Sequence, residues 1–403
     1  MSCGRDGRFH ILTTMSNAAE LATAGAEALR RGDAQKAREF LSQAVAGGRT
    51  DAPVMLGLAT ACKALDDRPG QVAALDRLLA AEPRNIPALI LRADCYAAAG
   101  DARSASSFYQ MALRAVPPGA KIPPQLAAEL GRAQQMCDRF AEEYRNWLRQ
   151  RLVAKGFDED RSSSRFAQSL DIVLGRKQIF VQQPRFYYFP ALPQIQFYDR
   201  KAFPWLDDVE AATDDIRAEL LEVMKLPGSF TPYVEGKPNR PHKDQMGMLN
   251  NPAWSAFFLW KNGDPVAENA ARCPRTMHAL RNAPLARVRW RSPSILFSLL
   301  QPGAHIPPHN GLVNTRLVCH LPLIVPGKCV FRVGNDLREW VEGKAWAFDD
   351  TIEHEAWNNS DRTRVILLFD VWRPELTEEE RSLVNSLFEA IDEHSGGKPE
   401  WEI

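Results

Sequence analysis

Four of the chain's eight histidines, His305, His309, His320 and His354, fall within fifty residues of one another. Imidazole is a borderline ligand that suits iron, zinc or nickel, so such a cluster on a rigid scaffold is a natural metal site. His309 sits in the tight sequence PPHNG, read as a loop that closes the run 293–301, and His354 follows an apolar stretch in DDTIEHEAWNN. Ten residues after His354, Arg364 opens the apolar run RVILLFDVW. A guanidinium at the head of a buried strand needs an anion, and its fork fits a carboxylate best. The expected chemistry is therefore two imidazoles for a metal and one arginine for an acid. His305, four residues before His309, is read as a group that fixes the loop or a neighbouring ligand, not as a ligand itself. His242 and His278 are read as structural or exposed.

The runs FSLLQPGAHIPPHNGLVNTRLVCHLPLIVP and FDDTIEHEAWNNSDRTRVILLFDVWRPEL carry these groups, and NPAWSAFFLWKNG precedes them. Together they closely resemble the aspartyl/asparaginyl β-hydroxylase family, which are iron(II)- and 2-oxoglutarate-dependent dioxygenases. The resemblance covers residues 187–375 and implies a distorted double-stranded β-helix of the jelly-roll type. It implies that His309 and His354 bind Fe(2+) and that Arg364 and Ser298 hold the distal carboxylate of 2-oxoglutarate. Trp254, Val318, Cys319 and His320 then line the cosubstrate, and O2 is the oxidant. Most oxygenases of this chemistry add a carboxylate ligand two residues after the first histidine. That place is Gly311 here, and the family leaves it to water; Asp349 or Asp350 is the alternative carboxylate. Val318 stands where some members have a second arginine. Arg316, on the same strand face by alternation, is the candidate to act near the substrate or behind the cosubstrate. The implied reaction is hydroxylation of an unactivated C–H bond, with the β-carbon of an Asp- or Asn-type residue in a peptide or protein as the first expectation. The alternatives are a small-molecule or lipid-acyl hydroxylase, a catalytically idle repeat-based binding scaffold, and a non-redox metal enzyme of cupin type.

Such a site needs rigid strands. Short apolar or alternating runs at 293–301, 314–324, 328–333, 337–341, 344–348 and 363–372 are separated by Gly, Pro, Asn and Asp, which reads as a β-sandwich or barrel. A helical stretch is expected at 206–225. Thr377 with Glu380 three residues later forms a capping box that opens a final helix. Cys319 reads as a small core residue and not a nucleophile; Trp340, Trp346, Trp357 and Trp372 read as packing aromatics. Arg287, Arg289 and Arg291 read as a solvated strand face, with contact to an acidic substrate as the lesser reading.

The first half has another texture. Gly32-Asp33, Asp66-Asp67 and Gly100-Asp101 fall 34 residues apart, as do Phe40, Ala74 and Phe108, and Ala44, Leu78 and Ala112. That period, with small residues inside and a closing Pro83 or Pro117, resembles the tetratricopeptide repeat, in which each helix pair buries its apolar stripe against its neighbours. The predicted fold is α+β and multidomain. Residues 1–16 are expected to be disordered, 17–118 helical repeats, 119–180 a helical cap and linker, 181–375 the dioxygenase-like domain, and 376–403 a terminal helix and tail. The repeats offer a surface for a peptide or protein substrate, or else a dimerisation or capping element.

Composition narrows the remaining possibilities. Lys+Arg 50 balances Asp+Glu 50 among 403 residues, which argues against a general nucleic-acid partner. Seven cysteines without a CxxC argue against a disulfide framework or zinc ribbon. No run of apolar residues is long enough for a membrane span, and the cytoplasm is the expected location.

Overall fold

Ala, Leu and Arg dominate residues 17–118, and these residues adopt helical dihedrals at little entropic cost. The computed structural model describes residues 6–236, 247–395 and 397, with side chains from residue 17 onward. It divides the chain into two units, one ending at Leu170 and the other beginning at Asp171, ten residues before the expected boundary of the β domain.

The first unit holds α1 (Asp6–Arg30), α2 (Ala34–Ala46), α3 (Ala52–Ala64), α4 (Arg68–Ala81), α5 (Ile86–Ala98), α6 (Ala102–Arg114) and α7 (Pro124–Val153). The turns between the paired helices repeat one device. A left-handed residue (Gly32 at φ 78°, Asp66 at 55°, Gly100 at 77°) stops the first helix. The Asp that follows caps the second: Asp33, Asp67 and Asp101 accept the backbone N–H of Lys36, Gly70 and Ser104 at 3.1, 3.0 and 3.0 Å. Such caps satisfy donors that the first helical turn leaves orphaned. Leu41, Leu75 and Tyr109 occupy the buried register, with Ala44, Leu78 and Ala112 one turn on. The unit is a tetratricopeptide-like stack of three helix pairs. The Tyr109 hydroxyl donates to Asp94 at 2.5 Å, and Arg132 of α7 reaches the same carboxylate at 2.8 Å, which fastens the long helix onto the last pair. The expected disorder of residues 1–16 gives way to helix from Asp6 onward, and residues 1–5 lie outside the described residues. The Ser-rich stretch after α7 leads into α8 (Ser164–Val173).

The second unit is built on α9 (Leu206–Ala211), α10 (Thr213–Met224), α11 (Ala267–Arg272), α12 (Pro274–Ala279) and α13 (Glu378–His394), with strands β1 (Thr231–Pro232), β2 (Trp254–Lys261), β3 (Asp264–Pro265), β4 (Ile295–Leu300), β5 (His305–His309), β6 (Arg316–Ile324), β7 (Cys329–Val333), β8 (Asp336–Glu339), β9 (Trp346–Phe348), β10 (His354–Asn358) and β11 (Arg364–Trp372). Two antiparallel sheets result. The larger runs β1-β2-β4-β11-β6-β9, with β3 beside β2, and the smaller runs β5-β10-β7-β8. From β4 onward the chain crosses repeatedly between the two sheets, and the two-residue period of each strand turns alternate side chains to the interior between the sheets and to the outer face. Along β6, Leu317, Cys319 and Leu321 join Phe297, Leu367 and the α9–α10 residues Leu206, Ile216 and Leu220 on the outer, helix-covered face. Val318 joins Trp254, Ile306, Phe331, Phe348 and Ile366 between the sheets.

Five strands, β1, β2, β3, β5 and β10, are absent from the sequence expectation, and β5 and β10 carry His309 and His354, which the sequence places in a loop and after a strand. Two prolines in HIPPH signal a turn, yet β5 is an edge strand, where a missing N–H costs no ladder bond. The terminal helix belongs to this core. Val384 and Phe388 pack against Leu192, Trp372 and Leu376, and Asp392 binds Arg291 at 2.6 Å with both groups buried. Arg291 is therefore an internal anchor for α13 and not part of a solvated face.

Candidate active site

His309 ends β5 and His354 begins β10, and the two are directly opposite in the ladder. Their ring centroids lie 4.1 Å apart. Each ring is held by the carbonyl two residues earlier: His309 Nδ1 lies 2.7 Å from Pro307 O and His354 Nδ1 lies 3.1 Å from Ile352 O. A carbonyl can only accept, so both Nδ1 atoms carry the proton and both Nε2 atoms keep a lone pair. Burial lowers the pKa of both imidazoles, that of His354 well below the ordinary histidine range. Two neutral, oriented imidazoles with free Nε2 atoms are what a divalent metal requires.

No third His, Cys, Asp or Glu completes a metal-binding group with them among the described residues. The space beside Gly311 is already filled: a Cβ built there would lie 2.1 Å from Asp350 Oδ2. Asp350 is held by Arg316 at 3.0 Å, and Arg316 also binds Asp370 at 2.7 Å. Burial, only partly offset by Arg316, raises the Asp350 carboxyl to about 7, and its Oδ1 has no hydrogen-bond partner among the described residues. Asp349 points elsewhere, fully buried against Arg373, Gln182 and Thr351.

Arg364 opens β11 and is 1% exposed. Its Nη1 donates to the Ser298 carbonyl at 3.3 Å, but its Nε has no partner and no carboxylate faces it among the described residues. Burial lowers its pKa to about 10. An ionised guanidinium left in this state is costly unless an anion arrives. The atoms around it suit one. Its Cζ lies 4.7 Å from the centre of the Trp340 ring, whose Nε1 is also unpartnered. Buried His320 has a partnerless Nδ1 and a pKa held well below the usual range by burial and by Arg364. Ser298 Oγ accepts from Trp254 Nε1 at 3.2 Å.

These groups line one cavity of about 130 Å³ that includes Trp254, Ser298, His309, Arg316, Val318, His320, Asp350, His354 and Arg364. Cys319 does not belong with them. Strict alternation along β6 turns its side chain to the outer face, so its expected place beside the cosubstrate is corrected. His305 also lies outside the cavity: its Nε2 meets Glu355 at 2.9 Å and its ring stacks 5.0 Å from Trp357. Glu355 in turn binds Arg332, so His305 braces the neighbour of His354. Trp340, read as packing, is part of the site, as are Tyr233, Phe331, Phe348, Asp350 and Asp370; an aromatic in a strand gives no sequence signal of whether its ring meets core or ligand. His242 lies outside the described residues.

Residues 210–374 match the family model for aspartyl/asparaginyl beta-hydroxylase. Over that stretch the chain is similar to that hydroxylase family. Among its relatives, the ornithine lipid ester-linked acyl 2-hydroxylase of Rhizobium tropici is 36% identical over 180 residues, 44% of this chain and 60% of that protein. Human aspartyl/asparaginyl beta-hydroxylase is 39% identical over 168 residues, 41% of this chain and 21% of that one. The matched stretch is thus less than two thirds of either relative. The first unit aligns with the TPR2B domain of the yeast Sti1 TPR2B–pHsp70 complex at 17% identity and a TM-score of 0.28, covering 32% of this chain and 98% of that one. Among the described residues no helix is long and apolar enough to cross a membrane.

Proposed function

We propose that the hydroxylase domain is an iron(II)- and 2-oxoglutarate-dependent dioxygenase on a double-stranded β-helix. One observation carries the reading: two imidazoles with free Nε2 atoms and a buried guanidinium without an anion share a single cavity. A redox-inactive cupin-type centre would have no use for the second feature, and an idle scaffold would have use for neither.

His309 and His354 would hold the iron, and Arg364 would take the distal carboxylate of 2-oxoglutarate. The bound iron and cosubstrate supply the oxidising power that breaks an unactivated C–H bond. The chain supplies the rest. Arg364, with Ser298 and the ring of Trp340, fixes one end of the acid. His320, neutral and partnerless at Nδ1, can donate to or accept from it. Phe331 and Phe348 exclude water between the sheets. Asp350, held by Arg316 next to Gly311, presents a carboxyl oxygen toward the space that a third ligand would fill.

Loading the protein with iron(II) and 2-oxoglutarate under nitrogen is the test. A weak visible charge-transfer band should grow with both additions and disappear in His354→Ala. Its absence in the wild-type protein would end the reading. The relatives' names give two substrate types, Asp or Asn residues and lipid acyl chains, and a role for the helical unit in holding a partner goes with the first.

A further inference from the structure

The turn that joins β9 to β10 touches the chain beside both imidazoles. Thr351 O accepts from Asn310 Nδ2 at 2.9 Å, and Asp350 O accepts from the Gly311 backbone N–H at 2.6 Å. Residues 349–352 are thereby laced to the segment that follows His309. Ile352 O, which holds His354 Nδ1 at 3.1 Å, belongs to the same turn. The strands alone do not fix this geometry, because the β5–β10 ladder shifts register between His354 and Ala356.

The turn is pinned from within by Asp349, which is fully buried. Its Oδ1 accepts from the Thr351 backbone N–H at 3.0 Å and from Thr351 Oγ1 at 2.6 Å, a local closure that Asp side chains favour. Its Oδ2 accepts from Gln182 Nε2 at 2.6 Å and meets Arg373 Nη1 at 3.1 Å. Both oxygens are engaged inside the protein, so the sequence alternative of Asp349 as a metal ligand gives way to a different task. Arg373, also fully buried, is itself held on several sides. It donates to the carbonyls of Asn314 at 3.1 Å and Pro193 at 3.0 Å and to the Tyr198 hydroxyl at 3.1 Å, and Glu375 lies 3.6 Å away. A buried, fully partnered polar network of this kind holds one arrangement of its backbone.

On the reading that His309 and His354 hold the iron, we propose that Asp349 is a positioning residue that sets the spacing and orientation of the two imidazoles, with Arg373 as its countercharge. It acts through the turn. The Asp349 carboxylate fixes Thr351, the Thr351 carbonyl fixes Asn310 beside His309, and the Ile352 carbonyl fixes the His354 ring. Outer partners of metal-binding imidazoles are typically worth about 10- to 100-fold in metal affinity, and here one turn serves both rings.

Cobalt(II) binding to the full chain, measured by calorimetry without cosubstrate, tests this with no demand for turnover. Thr351→Val removes one hydroxyl while keeping the branched shape, and should weaken cobalt binding about 10-fold. Thr351→Ser restores the hydroxyl and should recover most of that loss. Asp349→Asn turns an amide N–H toward the donors Gln182 and Arg373 and should cost about 100-fold, while Glu375 still leaves Arg373 a carboxylate. Glu219→Ala is the stability control. Glu219 accepts from the N–H groups of Arg275 and Thr276 at 2.7 and 2.8 Å at the start of α12 and does not line the cavity. Its loss should lower the melting temperature of the same unit and leave cobalt affinity unchanged. Wild-type affinity in Thr351→Val and in a folded Asp349→Asn protein, no recovery in Thr351→Ser, or an equal loss in Glu219→Ala would overturn the proposal. If Asp349→Asn does not fold, the Thr351 pair decides. If the wild-type chain takes up no cobalt, or His354→Ala binds it equally well, the metal-site reading fails and the proposal with it. If His354→Ala abolishes uptake while the Thr351 and Asp349 variants keep it, only the positioning role fails.

Discussion

Arg364 and Gly311 carry the most exacting demands of the site. Truncating one partner of a buried charge pair costs about 2–5 kcal/mol. Arg364→Ala is therefore expected to weaken 2-oxoglutarate binding by about 100-fold or more, measurable by anaerobic titration, while iron binding by the imidazoles persists. An equal loss of both would show that Arg364 supports the fold instead. Gly311 has the opposite sensitivity. A methyl group there meets Asp350 Oδ2 at 2.1 Å, so Gly311→Ala must displace the carboxylate from Arg316, at a cost of about 1–3 kcal/mol for forced overpacking. Gly311→Asp, which on paper supplies a third ligand, should lower the melting temperature at least as much and bring no gain in metal affinity. The imidazoles and the guanidinium were legible in the sequence because clustered histidines and a cation at the head of an apolar run are rare, chemically marked features. The Asp350–Arg316–Asp370 network was not, because its partners lie on three segments that only the sheet brings together.

At the scale of elements, caps and anchors govern stability. Backbone hydrogen bonds from Lys36 and Gly70 hold Asp33 and Asp67 below the ordinary carboxylate value of 3.8, and Ser104 does the same for Asp101. A carboxylate with a depressed folded pKa stabilises above its unfolded value, and that contribution is lost as pH falls through the folded value. The helical unit should accordingly lose stability below about pH 4. The triple variant Asp33→Asn, Asp67→Asn, Asp101→Asn should flatten that slope, and an unaltered acid profile by circular dichroism would count against the capping role. In the second unit, Asp392→Ala removes the carboxylate that meets buried Arg291 and should cost about 3–5 kcal/mol in urea denaturation. The sequence revealed the helical period because three copies of one pattern reinforce each other. It concealed β5 and β10, since HIPPH and HEAWN lack the alternation that marks a strand and are specified by their neighbours in the ladder.

At the scale of the whole molecule, each unit has its own buried clusters, so binding at the active site should be felt in only one of them. A ligand that binds only the folded state stabilises it by RT ln(1 + [L]/Kd), about 2.7 kcal/mol at a hundredfold excess over Kd. Iron with 2-oxoglutarate should slow hydrogen exchange in β4, β5, β10 and β11 and leave α1 to α6 unchanged; protection of the helices would require coupling between the units. Within the second unit, the imidazoles are borne by the smaller sheet and Arg364 by the larger, with the rings of Phe331 and Phe348, centroids 4.7 Å apart, packed into the gap. Those rings behave as the fixed jaws of a calliper. By keeping the two layers at one spacing they would, on the proposed dioxygenase reading, gauge the length of the diacid bridging metal and guanidinium, so that shaving either ring is expected to admit a ketoacid one carbon too long.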